Sequence, residues 1–162
     1  MSRGLGDVYK RQDYIVIYQR AYSKSLIEFA KKLAEKEECR VITITGNPRQ
    51  KIKAKNVLSA GPVEWLELIN NAKYVVTNSF HGVAFSINFN KEFFVELLDE
   101  KFGVNSRLEN ILNSFELESR KIHLVNLDNK IKKIDYKNVN EKLDLARLES
   151  INFIKDALES SN

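Results

Sequence analysis

The feature that most constrains this chain is an alternation. Short, β-rich, continuously apolar runs are separated by longer segments of helical periodicity. Asp13–Tyr18 (DYIVIY), Arg40–Thr45 (RVITIT), Lys73–Thr77 (KYVVT) and Glu92–Leu97 read as strands, with Asn56–Ser59 as a short edge strand. Between them, Ser23–Lys36 reads as a helix capped by Ser23 or Ser25, with Leu26, Phe29, Ala30 and Leu33 in one stripe. A second helix opens at Gly61-Pro62, with Pro62 near its first position, Glu64 in its first turn and Trp65, Leu66, Leu68 and Ile69 apolar. A third spans Phe80–Phe89. Strands apolar on both faces, alternating with helices, specify a parallel sheet covered on both sides. The fold class predicted is therefore α/β, a Rossmann-like parallel sheet with helices on both faces.

The remainder reads differently. Ser106–Phe115 is predicted helical, with Leu108, Ile111, Leu112 and Phe115 apolar. A variable stretch follows to Lys137, with a short strand at Lys130–Ile134. Val139–Glu159 is a long C-terminal helix with Val139, Leu143, Ile151, Ile154 and Leu158 on one face. Gly46-Asn47-Pro48 is a turn signal. Residues 1–12 (MSRGLGDVYKRQ) carry neither periodicity and read as a non-native or disordered leader, which leaves one domain over residues 13–162. Patterned sequence starts abruptly at Asp13, as a natural domain can and as a chain cut in its middle would.

Composition narrows the class. Only 6 Gly and 2 Pro in 162 residues exclude a collagen repeat and argue against a turn-dense all-β sandwich. The net charge is +4, and half of it comes from Arg3, Lys10 and Arg11 against Asp7 in the leader. The other charges are interleaved, so no nucleic-acid surface is expected. No apolar run approaches the length of about 20 that spans a bilayer, and no signal-peptide core is visible. The single cysteine, Cys39, excludes an intramolecular disulfide, fits a reducing cytoplasm and sits before an apolar strand, where packing is its expected role.

Chemistry concentrates at Thr77-Asn78-Ser79-Phe80-His81-Gly82, between the end of an apolar strand and the start of a helix. In an open α/β sheet, ligands bind beyond the carboxyl ends of the strands. A helix start there offers unpaired backbone N–H groups and the positive end of the dipole, which suit an anion. Ser79 can cap the helix and donate a hydrogen bond, and Gly82 leaves room for a ligand at the backbone. The plainer readings stand beside these: His81 as a structural histidine, Ser79 as a simple cap. Trp65, at helical spacing with Leu68 and Ile69, reads as core, and Glu64 as a dipole partner. Gln19, Arg20 and Tyr22 follow the first strand and are cleft candidates by position. His123 reads as surface or structural. With two histidines, no HExxH, no paired cysteines and no clustered carboxylates, no metal site is expected. There is no GxGxxG, P-loop or GxSxG, so no resident cofactor is expected and Ser79 is a poor nucleophile.

Gly61, Pro62, Glu64, Trp65, Leu66, Ile69, Asn71, Ala72, Tyr74 to Gly82, Asn90, Lys91 and Phe93 together resemble the polysaccharide pyruvyl transferases. The resemblance covers about Asp13 to Leu158, with the Ser79-Phe80-His81-Gly82 core and its flanks as its most specific part. It implies the C-terminal half of a two-domain, glycosyltransferase-B-like architecture, with the active site in the interdomain cleft. It implies transfer of the enolpyruvyl group of phosphoenolpyruvate to hydroxyls of a glycan, with release of phosphate. It further implies exopolysaccharide biosynthesis in the cytoplasm, peripheral to the membrane through a lipid-linked glycan. Carried onto this sequence, it makes His81 the candidate for proton transfer or a phosphate contact, and Asn78, Ser79, Phe80 and Gly82 the donor-binding turn. Some branches of the family place Arg two residues before the histidine; Ser79 stands there in this chain. Arg107, in Asn105-Ser106-Arg107-Leu108, matches a family arginine and is the candidate cation for the phosphate, against the plain reading of a solvated arginine at a helix start. Two rival functions remain open at this point. One is a glycosyltransferase using a nucleotide sugar, which would want an aromatic or acidic contact near Asn47–Ala60. The other is a non-catalytic glycan- or partner-binding fragment. A half-enzyme of this kind is expected to fold but not to turn over by itself, since catalysis draws on both walls of the cleft.

Overall fold

The structure, a computed structural model, describes residues 13–45, 54–98 and 105–160. The leader at 1–12 and the turn expected at Gly46-Asn47-Pro48 lie outside the described residues. Among the described residues five parallel strands, β1 (Tyr14–Tyr18), β2 (Arg40–Thr45), β3 (Lys55–Leu58), β4 (Tyr74–Thr77) and β5 (Glu92–Val95), form one sheet in the order β3-β2-β1-β4-β5. Among the described residues five α-helices accompany them: α1 (Lys24–Lys36), α2 (Pro62–Asn70), α3 (Phe80–Asn88), α4 (Asn105–Ser114) and α5 (Tyr136–Glu159).

The continuous apolar runs become strands because both faces of the sheet are covered. Tyr14, Val16, Ile42, Val75 and Phe93 point to a core shared with Leu68, Ile69, Val83, Ile87 and Leu112 of α2, α3 and α4. Their neighbours Ile15, Ile17, Val76 and Phe94 point the other way, onto Leu26, Ala30 and Leu33 of α1. Each fully buried Ile, Leu or Phe here contributes about 1.5–3 kcal/mol of transfer free energy. Ser23 caps α1, accepting from the Leu26 N–H at 3.2 Å. Cys39 packs against the α1-side core, its Sγ donating to the Glu37 carbonyl at 3.3 Å. Burial pushes its thiol pKa up, with the nearby Lys73 charge pulling the other way.

Two expectations about the tail are corrected. No strand forms at residues 130–134. Backbone groups that a ladder would use are taken by side chains: Ile134 N–H donates to Glu92 Oε1 (2.9 Å), and the Lys132 carbonyl accepts from Arg120 Nη2 (2.6 Å). Arg120 is buried, lies 5.6 Å from the centre of the Phe94 ring and pairs with Glu92 at 3.0 Å. That pair pins the tail to β5, and only an isolated bridge, Val95 to Lys121, extends the sheet there.

The long helix starts one turn earlier than expected, because Asp135 caps it by accepting from the N–H groups of Lys137 and Asn138. Its apolar stripe does not pack along its length. Val139 is buried and Leu143 half-buried, but Ile151, Ile154 and Leu158 are each at least half exposed. Among the described residues no helix is long and apolar enough to cross a membrane.

Candidate functional site

In strand order β3-β2-β1-β4-β5 the chain builds outward from β1 on one side, then returns to build outward from β4 on the other. The switch point lies between β1 and β4, where the loops leaving two adjacent strands diverge to opposite faces and open a crevice. Residues 77–82 sit at this point. Tyr18 and Thr77 are register partners at the last rung of the β1–β4 ladder.

Thr77, the last residue of β4, organises the turn. Its Oγ1 donates to the Tyr18 carbonyl (2.5 Å) and accepts the Ser79 N–H (3.0 Å). A Cβ built on Gly82 would lie 2.9 Å from Thr77 Cβ and Cγ2, and closer still to Oγ1. Glycine at 82 therefore lets α3 press onto the end of β4; the room beside it is filled by Thr77. Asn78 is buried, and both ends of its amide are occupied: Oδ1 accepts the Arg20 N–H and Nδ2 donates to the Ala21 carbonyl, each at 2.8 Å. It ties the loop after β1 to the turn after β4. Ser79 stands at the N-cap position of α3 but makes no side-chain cap bond. The expected Ser79 cap is thus replaced by Thr77, which holds the Ser79 amide instead.

The N–H groups of Phe80, His81 and Gly82 have no carbonyl four residues back within the helix, and the first such bond is Val83 N–H to the Ser79 carbonyl at 3.2 Å. His81 is exposed on this first turn. Its ring meets Phe80 edge-on, with centroids 6.0 Å apart. The guanidinium of Arg107, on the first turn of α4, lies 5.3 Å from the centre of the Phe80 ring. Phe80 thus touches both a cation and the imidazole. His81, Phe80 and Arg107 come together with the free amides at the positive end of α3. Asn78 and Gly82 shape this turn from beneath.

Beside His81 opens a shallow cleft of about 430 Å³, walled by Tyr18, Ala60, Pro62, Trp65, Leu66 and Phe85. Trp65, expected in the core, packs partly buried against it and also forms this wall. Of the positions named after β1, Gln19 is buried with Oε1 accepting the Ser23 N–H at 3.0 Å, while Arg20 and Tyr22 are exposed. His123 belongs to a separate cleft on the α1 face, with Ser25, Glu28, Lys32 and Glu96.

Compared with known families, residues 4–96, more than half of the chain, match the profile described as Polysaccharide pyruvyl transferase. The chain belongs to the polysaccharide pyruvyl transferase family. No individual curated protein matches it. The match includes the whole of the β4–α3 turn and its His81, and ends at Glu96, one residue past β5. Arg107 lies beyond the matched segment, so its place at this pyruvyl transferase turn rests on the contact with Phe80.

Proposed function

We propose that this turn is the donor site of a pyruvyl transferase, binding phosphoenolpyruvate and passing its pyruvyl group to hydroxyls of a glycan. The observation that carries the reading is that Arg107 and His81 both contact Phe80 on the first turn of α3, where the amides of residues 80–82 have no intrahelical acceptor. Phosphoenolpyruvate presents a phosphate and a carboxylate, and both call for cations and N–H donors. The amides of residues 80–82 and the helix dipole suit the phosphate, and Arg107 supplies the fixed charge that Ser79 does not. The methylene carbon must gain a proton to make the adjacent carbon electrophilic, and the attacking hydroxyl must lose one. His81, exposed at the same turn, serves in these transfers. Phosphate leaves as the ketal forms. In this reading the chain contributes the donor side of a two-domain cleft, in cytoplasmic exopolysaccharide synthesis on a lipid-linked glycan.

The test is calorimetric titration of the chain with phosphoenolpyruvate, paired with phosphate-release kinetics in a two-domain relative that carries the same turn. Arg107→Ala should weaken binding of the donor by about tenfold, the loss of one charge-assisted contact. In the relative, His81→Ala should lower kcat/KM by about 10²–10⁴. Arg107→Ala should raise KM more than it lowers kcat. A His81→Ala rate within a factor of about three of the parent removes His81 from the chemistry.

A further inference from the structure

The cleft beside His81 has a chemistry of its own. Apart from the imidazole, its walls are Tyr18, Trp65 and Phe85, with Pro62, Leu66 and Ala60. Trp65 packs edge-on against both neighbours, with centroids 5.2 Å from Tyr18 and 5.1 Å from Phe85. This fixes three aromatic rings as one rigid wall. Its indole N–H is buried and has no acceptor among the described residues. A highly charged anion gains nothing from such a wall, because aromatic faces are electron-rich and repel it. The cationic and N–H groups that suit the donor lie on α3 and α4. What an aromatic wall attracts is a flat apolar surface edged with weakly positive C–H groups.

A sugar ring offers that surface, with C–H bonds on its faces and hydroxyls around its rim that can face the exposed His81. We propose that the Tyr18–Trp65–Phe85 slot is the acceptor subsite, taking an uncharged pyranose ring against Trp65 with a hydroxyl edge turned toward His81. This rests on the donor reading of the α3 turn. It assigns two reactants to the neighbourhood of His81, the anion to the turn that holds Phe80 and Arg107 and the sugar to the cleft that holds Trp65. Trp65 acts here as a platform and positioning residue.

The chain has a single tryptophan, so its emission reports this slot alone. The experiment titrates the chain with the methyl glycosides of galactose, glucose, mannose and N-acetylglucosamine, each to about 100 mM, a range that detects millimolar binding. Uridine and phosphoenolpyruvate are run in parallel. Expected is a saturable change in Trp65 emission with at least one glycoside, preserved when phosphoenolpyruvate is present. Ala60→Phe, which narrows the slot without touching Trp65, should weaken that glycoside at least tenfold. Trp65→Leu should abolish saturation transfer from the protein to the ring protons of the glycoside in NMR. No response to any of the four sugars overturns the proposal, as does a response unchanged in Ala60→Phe. Saturation by uridine alone also overturns it, and points to a nucleobase slot. Failure of the donor reading looks different: glycosides would bind, while phosphoenolpyruvate would leave the 80–82 amides unmoved.

Discussion

At the carboxyl end of β4, every side-chain polar atom of Thr77 and Asn78 has a partner inside the chain. The ends of β1 and β5, at the same edge of the same sheet, are built otherwise. Gln19 Nε2 and Glu96 Oε2 are both buried without a hydrogen-bond partner among the described residues. The chain between them is bonded: Gln19 Oε1 accepts the Ser23 N–H, Ser23 and Ser25 share a hydrogen bond, and Ser25 donates to Glu96 Oε1. The difference separates two tasks. The β4 end spends its polar groups on itself and so holds the α3 turn, with His81 and the free amides, in one geometry. The β1 and β5 ends leave a donor and an acceptor unmet, which costs folding free energy. Substitutions at β4 should therefore cost stability, and substitutions at the other ends should not.

The largest effect that could break this contrast is at Asn78. Asn78→Ala leaves the buried-side partners at Arg20 and Ala21 unpaired, and should destabilise by about 3 kcal/mol, measured by urea unfolding. A loss under about 1 kcal/mol would show that the amide does not tie the two loops together. Next is Gly82→Ala, where the added methyl meets the Thr77 side chain. Overpacking there should cost about 1–3 kcal/mol, partly offset by the helix preference of alanine. A double substitution with Thr77→Ser, which deletes one of the opposed methyl contacts, should recover part of the loss, and strict additivity would contradict the contact.

A further effect arises at the opposite edge. Burial, then the Glu37 carboxylate, pushes the Tyr74 hydroxyl pKa up to about 12. Burial, then Glu92, also raises that of Tyr136. Both folded values lie above the unfolded one near 10, so their stabilisation is complete below pH of about 10; that of Tyr74 is lost as pH rises through about 12, and that of Tyr136 at still more alkaline pH. Alkaline melts should show this loss, and Tyr74→Phe should flatten it without altering donor binding. The smallest effect is at Glu96. Glu96→Gln keeps an acceptor for Ser25 and removes an unmet carboxylate oxygen, so unfolding free energy should move by less than about 0.5 kcal/mol. A loss above about 2 kcal/mol would mean that the β5 end is as fully paired as β4.

Much of this architecture is legible in the residues themselves. The strands are readable because a sheet covered on both sides needs unbroken apolar runs, and RVITIT and KYVVT supply them. The α3 turn is readable because His81 follows the end of such a run. Side-chain bonds to backbone are what periodicity does not carry. Nothing in the spacing says that Glu92 and Arg120 will occupy the backbone of 132–134, so a strand is expected where none forms. Nothing says that Thr77, rather than Ser79, will hold the first amide of the turn. Trp65 has core spacing on α2 and does pack against the core, but nothing in that spacing says that it will also wall a cleft. Arg107 came into view through the family resemblance, and only the packing of α4 beside α3 brings it over Phe80.

The claim at the centre of this account is that the first turn of α3 receives the donor anion. Backbone amide spectra of the chain, recorded while phosphoenolpyruvate is added, test it directly. The account predicts saturable shifts centred on the amides of Phe80, His81 and Gly82 and on the Arg107 guanidinium, with the amides around Ser25 and Glu96 unmoved. Shifts centred on the Ser25–Glu96 cleft, or none at residues 80–82 at saturating donor, would contradict it.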